Sequence, residues 1–274
     1  MISRYNLGPL KYPYLVFRIV RSLLTHVTLY GMMLLIGPLV ILFLLFFRKR
    51  FPTRAAYIWS LLTTVAAGIE VDVIGRHHLG KDTVQVLVAN HTSNFDVHAL
   101  ILSLNRYYYR FVAKKELGWL PIFGWALWLS GFPLVDRKDN AASVKEMQRL
   151  EQMMKKKKMK VVIFPEGTRN KGPGLLPFKK GAFILALNLQ AEIVPVVIGG
   201  ARDVQKQHGF FIEPANIEVR FLPPIPTEGM TYEDRDKLME TTFIAMHDAL
   251  PENEKEASLT TEEKQPDDIV QPVP

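Results

Sequence analysis

The stretch VQVLVANHTSNFDVHAL, residues 84–100, decides the fold. Its first part, Val84–Ala89, is apolar except for one glutamine, which is the pattern of a buried strand. From Val97 to Leu104 the apolar residues recur at helical spacing. The stretch therefore predicts a strand, then a polar loop that carries His91, then a helix.

Strand and helix patterns continue to alternate along the chain, and no internal repeat is visible. This alternation predicts an α/β fold in which a mixed or largely parallel sheet is flanked by helices. Pro195 lies inside one strand and should mark an edge or a bulge, because proline cannot donate to a strand ladder. The predicted strands are Val84–Ala89, Arg110–Ala113, Lys160–Phe164, Ile193–Ile198 and Ile217–Phe221, and the predicted helices are Val97–Leu104, Asp139–Lys156, Lys179–Leu189 and Thr231–Leu250.

His91 and Asp96 form the first pair of chemical interest. In a continuous helix, side chains five residues apart would point about 140° away from each other. The two can meet if His91 lies in the loop and Asp96 in the first turn of the helix, which would give an oriented general base. Two other interpretations stay open. Ser93-x-x-Asp96 is also a capping-box variant, with Thr92 or Ser93 as the cap. A metal site that adds His98 is weaker, because the spacing fits no familiar pattern.

The second polar stretch, FPEGTR, occupies residues 164–169. Gly167 permits an unusual backbone conformation or a close ligand approach, and Arg169 is a bidentate phosphate donor. In isolation the stretch also fits a surface turn in which Glu166 pairs with Arg169. Because it follows a predicted strand, as His91 does, we expect both to meet beyond the carboxyl ends of the strands, where α/β sheets bind ligands.

Four blocks in this order resemble those of the glycerolipid acyltransferase family, typified by the 1-acyl-glycerol-3-phosphate acyltransferases. Asn90-His91-x4-Asp96 is similar to the family's first block, and FPEGTR to its third. GFPLVDR, residues 131–137, resembles the second block, and IVPVVI, residues 193–198, the fourth. A lone His-x4-Asp would be a weak signal, whereas the ordered set, covering roughly residues 84 to 200, is specific.

The resemblance implies transfer of a fatty acyl group from a thioester donor to the sn-2 hydroxyl of 1-acyl-glycerol-3-phosphate (lysophosphatidic acid), which forms phosphatidic acid. His91 would be the base and Asp96 its partner. The donor would be acyl-coenzyme A or an acyl-carrier protein, with no cofactor and no metal. The chain has no cysteine and the matched blocks offer no serine nucleophile, so direct transfer without an acyl-enzyme is expected.

The resemblance also implies a set of substrate-binding residues. AKKEL, residues 113–117, is similar to the family's lysine segment, in which Lys114 fits the phosphate-binding position best and Lys115 is the fallback. Together with the other blocks, the expected substrate-binding residues are Lys114, Arg137, Glu166, Gly167, Thr168 and Arg169. The acceptor could instead be glycerol-3-phosphate or another lysophospholipid. From other classes, a non-catalytic membrane lipid-binding protein and a metal-dependent phosphoesterase are the rivals.

The N-terminal region predicts a membrane anchor. Leu23 to Phe47 contains no Asp, Glu, Lys or Arg over 25 residues, which is long enough to span a bilayer. Four basic residues flank it on each side, a tie that is natural if both ends face the cytoplasm. Pro38 can kink the run, and the second apolar stretch, Ala55 to Ile69, is short. We predict a bent or monotopic helical anchor on the cytoplasmic face of a membrane (the inner membrane if bacterial); a true span, alone or paired with the second helix, is the alternative.

Charge and aromatic residues divide the chain further. The whole chain carries +7, but residues 251–274 hold seven acidic and two basic side chains, so residues 1–250 carry +12. A basic body suits a phospholipid surface or an anionic acyl donor, and nothing resembles a nucleic-acid module. Leu117 to Val135 lacks charge and holds three of the four tryptophans, which fits either a core helix or an interfacial segment. The predicted domains are anchoring helices (1–70), a glycerolipid acyltransferase domain (71–250) and a disordered acidic tail (251–274).

Overall fold

The structure is a computed structural model that describes residues 11–46, 51–136, 139–205 and 209–255. The strands are Ile69–Ile74 (β1), Gln85–Ala89 (β2), Tyr109–Phe111 (β3), Ala113–Lys114 (β4), Leu134–Val135 (β5), Lys160–Ile163 (β6), Glu192–Gly199 (β7) and Ala215–Phe221 (β8). The α-helices are Lys11–His26 (α1), Met32–Phe46 (α2), Phe51–Ala67 (α3), Phe95–Ser103 (α4), Phe123–Leu129 (α5), Asn140–Lys157 (α6), Gly181–Leu189 (α7), Arg235–Asp248 (α8) and Glu252–Lys255 (α9).

A six-stranded sheet forms the centre of the fold, in the order β1-β8-β7-β2-β6-β3. Its neighbouring strands are parallel, except that β7 and β8 run antiparallel. The prediction of a mixed, largely parallel sheet between helices is therefore confirmed. Within β2, Val86 and Val88 pack toward α6, α7 and α8, whereas Leu87 and Ala89 pack toward α3 and α4. Both faces of β2 are covered, which is why its sequence is almost uniformly apolar.

The predicted strand Arg110–Ala113 is split between two sheets. β3 pairs with β6, but the N–H of Ala113 donates to the carbonyl of Pro133 at 2.9 Å, and β4 then pairs with β5 in a separate two-stranded sheet. The split turns Lys114 away from the main sheet. The stretch around Leu134, which forms β5, is thereby paired with β4, about twenty residues earlier in the sequence.

The first strand, β1, was not predicted. Gly68 adopts a φ of 69° and ends α3, so the apolar stretch Ala55 to Ile69 contains most of a helix and the first residue of an edge strand. A glycine in the left-handed region is the usual way for a helix to end. β1 pairs only with β8, in parallel.

Pro195 lies in β7, which is an interior strand, so the prediction of an edge is wrong. The alternative of a bulge fits. Val196 pairs with Phe221, but Ile193 pairs with Ile225, so β7 advances three residues while its partner advances four. One extra residue opposite Pro195 defines a bulge, and it removes the need for the missing N–H.

The N-terminal helices are attached to the α/β unit. Arg21 of α1 donates to the carbonyl of Ile212 at 3.0 Å, and Arg18 and Arg21 both form ion pairs with Glu213. The hydroxyl of Ser22 accepts the N–H of Ile212 at 2.9 Å. Among the described residues one helical run, Tyr12–Leu39, is long and apolar enough to cross a membrane by length and composition, with a mean hydropathy of 1.6. It includes most of α1 and the first half of α2.

The C-terminal segment Pro251–Lys255 belongs to the folded unit, although the sequence analysis placed it in the acidic tail. Glu254 is 7% exposed, and its carboxylate accepts the N–H of Gly200 at 2.8 Å. The structure therefore moves the expected start of the tail beyond Lys255. Residues 256–274 lie outside the described residues.

Candidate active site

His91 and Asp96 are brought together as the sequence analysis expected. His91 lies in the loop after β2, and Asp96 lies in the first turn of α4. His91 Nδ1 and Asp96 Oδ2 are 2.8 Å apart, and the Asp96 side chain is fully buried. The imidazole also stacks on Phe164, with 4.2 Å between the ring centroids. Because Asp96 occupies Nδ1, Nε2 is the nitrogen available to accept a proton.

The capping interpretation of Asp96 holds at the same time as the pairing with His91. Asp96 Oδ2 accepts the N–H groups of Thr92 at 2.7 Å and Ser93 at 2.8 Å. The expected cap is wrong, since the N-cap is Asn94, whose side chain makes no capping hydrogen bond, and the Ser93 hydroxyl accepts from Phe95. One carboxylate oxygen thus fixes the loop backbone and the imidazole together, which sets the orientation of the ring.

The proposed metal set does not assemble. His98 is on α4, but its Nδ1 lies 3.1 Å from the hydroxyl of Ser60 on α3, and its ring meets Trp59 edge-on. Burial lowers the pKa of His98 to about 4, so the ring is neutral in the folded protein at physiological pH. No cluster of three or more potential metal ligands exists in the part of the chain that the structure describes.

Glu166 is placed differently from the expectation that it binds substrate. It is 4% exposed, and its two carboxylate oxygens accept the backbone N–H groups of His91 at 2.8 Å and Leu176 at 3.1 Å. Burial raises the pKa of the Glu166 carboxyl, and the two N–H donors oppose that shift. The alternative of a surface turn closed by Glu166 and Arg169 is also wrong, because the carboxylate is buried. Glu166 instead holds the backbone of His91.

Two buried asparagines support the same loop and were missed in the sequence. The side chain of Asn90 exchanges two hydrogen bonds with the backbone of Ile198 in β7, at 2.9 and 2.8 Å. The N–H of Asn170 donates to the carbonyl of His91 at 2.7 Å. Asn90 stood in the quoted block without an assigned role, and nothing in the sequence marked Asn170, because both partners are distant in the chain.

A cavity of about 930 Å³ opens beside His91. Its lining combines cationic and polar side chains with apolar groups from the N-terminal helices and from the segment around α5. A volume of this size accommodates a ligand of several tens of atoms. The polar lining includes His91, Asn94, Lys114, Thr168, Arg169 and Lys179, and the apolar lining includes Met33, Ala56, Trp59, Ile101, Phe123, Leu127 and Phe132.

The predicted phosphate-binding residues are only partly assembled. Lys114 and Arg169 line the cavity, and Arg169 donates to Asn94 Oδ1 at 3.0 Å. Lys115, the fallback, is paired with Asp136 at 3.0 Å and is not part of the lining. Arg137 lies outside the described residues. Lys179, which the sequence analysis assigned only to a predicted helix, also lines the cavity.

Gly167 has the unusual backbone conformation that the sequence analysis anticipated, with a φ of 70°. A Cβ atom there would lie 2.8 Å from Cε of Lys179, so the glycine also lets that side chain pass. Thr168 is exposed to the cavity next to it. The turn thus presents Thr168 and Arg169 outward while Glu166 points inward.

The backbone amides of the first block are mostly occupied. The N–H of His91 donates to Glu166, and those of Thr92 and Ser93 donate to Asp96. An amide that is already bound to a carboxylate is not free for a developing oxyanion. The oxyanion donors must therefore be sought outside these three amides.

Comparison with known proteins places this fold and site in context. An acyltransferase family model, described as "Acyltransferase", matches residues 70–199. The 1-acyl-sn-glycerol-3-phosphate acyltransferase alpha of Mus musculus is 37% identical over 180 residues, which cover 65% of this chain and 63% of that protein. The 1-acyl-sn-glycerol-3-phosphate acyltransferase of Limnanthes alba is 31% identical over 197 residues, which cover 72% of this chain and 69% of that protein.

A solved structure has the same fold. The crystal structure of the 1-acyl-sn-glycerophosphate (LPA) acyltransferase PlsC from Thermotoga maritima matches with a TM-score of 0.66 at 20% identity, over 87% of this chain and 96% of that chain. The α/β fold is therefore that of an acyltransferase. The chain belongs to the glycerolipid acyltransferase family that includes the 1-acyl-sn-glycerol-3-phosphate acyltransferases. It spans less than two thirds of the length of the mouse relative.

Proposed function

We propose that the protein transfers a fatty acyl group from a thioester donor to the sn-2 hydroxyl of lysophosphatidic acid and so forms phosphatidic acid. The observation that carries the proposal is the 2.8 Å contact between His91 Nδ1 and a fully buried Asp96, beside a cavity whose lining includes both cationic and apolar side chains. The names of the relatives support the same acceptor.

His91 acts as the general base through Nε2. It takes the proton of the sn-2 hydroxyl as that oxygen attacks the thioester carbonyl carbon, and Asp96 stabilises the imidazolium that forms. When the tetrahedral intermediate collapses, the carbon–sulfur bond breaks and the imidazolium returns its proton to the thiolate. Transfer is direct, without an acyl-enzyme, and the reaction uses no metal or redox cofactor. The donor is acyl-coenzyme A or an acyl-carrier protein.

Arg169 and Lys114 hold the acceptor's phosphate, with Lys179 as an additional cation. All three line the cavity that His91 also lines, and a guanidinium is suited to bidentate phosphate contacts. Arg137 stays in the proposed set by resemblance alone. Thr168 and Gly167 shape the turn beside the phosphate, whereas Glu166 acts on the His91 backbone. Fixing the phosphate fixes the glycerol chain, which brings the sn-2 hydroxyl to the base.

The protein works at a membrane surface, on the cytoplasmic face. Large apolar side chains are exposed along α1 and α2, including Phe17, Leu23 and Leu35. Of the tryptophans, Trp119, Trp125 and Trp128 are 71%, 60% and 71% exposed, which favours the interfacial segment over the core helix considered for this stretch. Residues 1–70 form the anchor, and residues 71–250 the main part of the catalytic domain.

The test is acylation of lysophosphatidic acid by the purified protein in liposomes, with both acyl-coenzyme A and acyl-carrier-protein donors. Wild type should form phosphatidic acid, and His91→Ala should lose that activity while it still binds membranes. Glycerol-3-phosphate and a lysophosphatidylcholine run alongside as competing acceptors. If the protein preferred either of these acceptors, that compound would replace lysophosphatidic acid as the proposed acceptor. If no acceptor received an acyl group from either donor, the proposed acyltransferase activity would be rejected.

A further inference from the structure

The C-terminal segment Pro251–Lys255 contacts two of the chain segments that support the His91 loop. Its central contact is Glu254, which is 7% exposed. The Glu254 carboxylate accepts the N–H of Gly200 at 2.8 Å, and its backbone carbonyl accepts the N–H of Gly174 at 2.6 Å. These two glycines lie in different loops, and Glu254 bonds to both of them.

The first connection runs through β7. Gly200 directly follows that strand, and Ile198 within it exchanges two hydrogen bonds with the side chain of Asn90, the residue before His91. The segment also packs tightly here, since a Cβ atom on Gly199 would lie 2.7 Å from Cγ of Pro251. A shift of the segment would therefore be transmitted to the end of β7, and from there to Asn90.

The second connection runs through the loop after residues 164–169. Asn170 is 4% exposed; its N–H donates to the carbonyl of His91 at 2.7 Å, and its Nδ2 donates to the carbonyl of Gly174 at 2.7 Å. Gly174 in turn donates to the backbone of Glu254. Three hydrogen bonds, through Gly174 and Asn170, thus link the C-terminal segment to the backbone of the proposed base.

We propose that Glu254 is a positioning residue for acyl transfer, because it bonds to the two chain segments through which Asn90 and Asn170 support the His91 loop. This inference rests on the proposed function. It follows that the segment up to Lys255 is needed for the rate of the chemical step, although it contacts neither His91 nor the cavity lining.

The test compares three variants of Glu254 in the full-length protein. Glu254→Ala removes the acceptor of the Gly200 N–H, and Glu254→Asp keeps the charge but is one methylene too short to reach it. Both should lower kcat roughly tenfold or more, as small misplacements of a catalytic group do, while the KM for lysophosphatidic acid changes less than about twofold. Glu254→Gln keeps an acceptor oxygen of the same reach and should restore kcat.

Thr227→Val is the matched control. Thr227 is 1% exposed and donates to the carbonyl of Ala191 at the other end of β7, so the variant also loses one buried hydrogen bond. It should keep kcat at a similar loss of thermal stability. Equal kcat losses in Thr227→Val and Glu254→Ala, or an unchanged kcat in Glu254→Ala, would overturn the proposal. So would a Glu254→Gln variant that is as slow as Glu254→Ala.

Hydrogen exchange gives a readout that needs no activity. The amides of residues 90–96 should exchange faster in Glu254→Ala and Glu254→Asp than in wild type, because the contact of the carboxylate with Gly200 at the end of β7 is lost. Unchanged exchange in both variants would refute the positioning role. If wild type transfers no acyl group, the proposed function fails, and this measurement still decides whether Glu254 braces the loop.

Discussion

Glu166→Gln separates two roles for the turn at residues 164–169, namely support of the His91 backbone and binding of substrate. In the structure, each carboxylate oxygen of Glu166 accepts a different backbone N–H, from His91 at 2.8 Å and from Leu176 at 3.1 Å. Glutamine has one acceptor oxygen, so its NH2 group would face one of these N–H donors. The loop must then move or leave a buried donor unpaired.

The magnitude follows from the contacts. A hydrogen bond to a charged acceptor contributes roughly 1.5–3 kcal/mol, and we expect the free energy of unfolding to fall by about that amount. Because one of the donors is the backbone of His91 itself, the imidazole should shift, and kcat should fall roughly 10- to 100-fold. The KM for lysophosphatidic acid should stay unchanged, since the carboxylate is buried and bonded to the backbone.

The assay is initial-rate acylation with varied lysophosphatidic acid at saturating donor, together with denaturant unfolding of each variant. Glu192→Gln is the control; its carboxylate accepts from the side chain of Gln85 at 2.9 Å, at the opposite end of the strands from His91. It should leave kcat and KM at wild-type values. A Glu166→Gln variant with a raised KM and an intact kcat would refute the reasoning and return Glu166 to the substrate-binding set.

Three further predictions concern residues around the cavity. Burial lowers the pKa of His98 from 6.5 to about 4, so between these values the unfolded chain binds a proton that the folded chain does not. The free energy of unfolding should fall by about 3 kcal/mol as the pH drops from 6.5 to 4. Urea titrations of His98→Gln should lack this part of the pH dependence. If wild type and His98→Gln lost stability in parallel as the pH fell, the prediction would be contradicted. Lys114→Ala should raise the KM for lysophosphatidic acid, whereas Lys115→Ala should not, and equal effects would remove the distinction between them. In initial-rate measurements, Arg169→Ala should raise the KM for lysophosphatidic acid with little change in kcat. An unchanged KM would exclude a contact between Arg169 and the phosphate made before the chemical step.

The parts of the site that the sequence predicted are those set by local geometry. His91 and Asp96 are five residues apart, and the position of one helix start decides whether they meet. The role of Glu166 depends on His91, 75 residues away, so no periodicity could reveal it. The turn pattern also allowed an ion pair with Arg169, and burial of the carboxylate decided against that alternative.

The parts of the fold that were mispredicted depend on partners distant in the sequence. β1 is an edge strand whose ladder lies with β8, far along the chain, and only its register with Ala215 to Arg220 defines it. Pro195 was expected at an edge because of its missing N–H, but an extra residue on the neighbouring strand satisfied the same constraint inside the sheet. The composition of residues 251–274 predicted disorder as an average, whereas a single buried carboxylate orders their first five members.

The N-terminal helices lead to a last prediction, that the apolar run enters only one leaflet. Arg21 of α1 is held by Ile212 and Glu213, and α3, beyond the run, packs on α4 through the contact of Ser60 with His98. Both flanks of the run are therefore attached to the same domain.

Inside the run, Gly37 packs against α5, since a Cβ there would lie 2.3 Å from Cγ2 of Ile122. From Gly37, nine residues remain to the end of α2 at Phe46. At 1.5 Å per residue they extend about 14 Å, roughly half of the 30 Å hydrocarbon core of a bilayer. This argues against a crossing, although Tyr12–Leu39 is long enough for one by composition.

Because the chain has no native cysteine, single cysteines can test this geometry directly in sealed vesicles. A membrane-impermeant maleimide should label Ser3→Cys and Ser258→Cys from the same side, and it should leave Leu42→Cys unlabelled until detergent is added. Ser258 follows the catalytic domain and reports which side that domain occupies. Reaction of Ser3→Cys only from the opposite side would contradict this prediction. The chain would then have to cross the bilayer between Ser3 and the domain. The contacts of Arg21 with Glu213 would have to break in the membrane-bound protein.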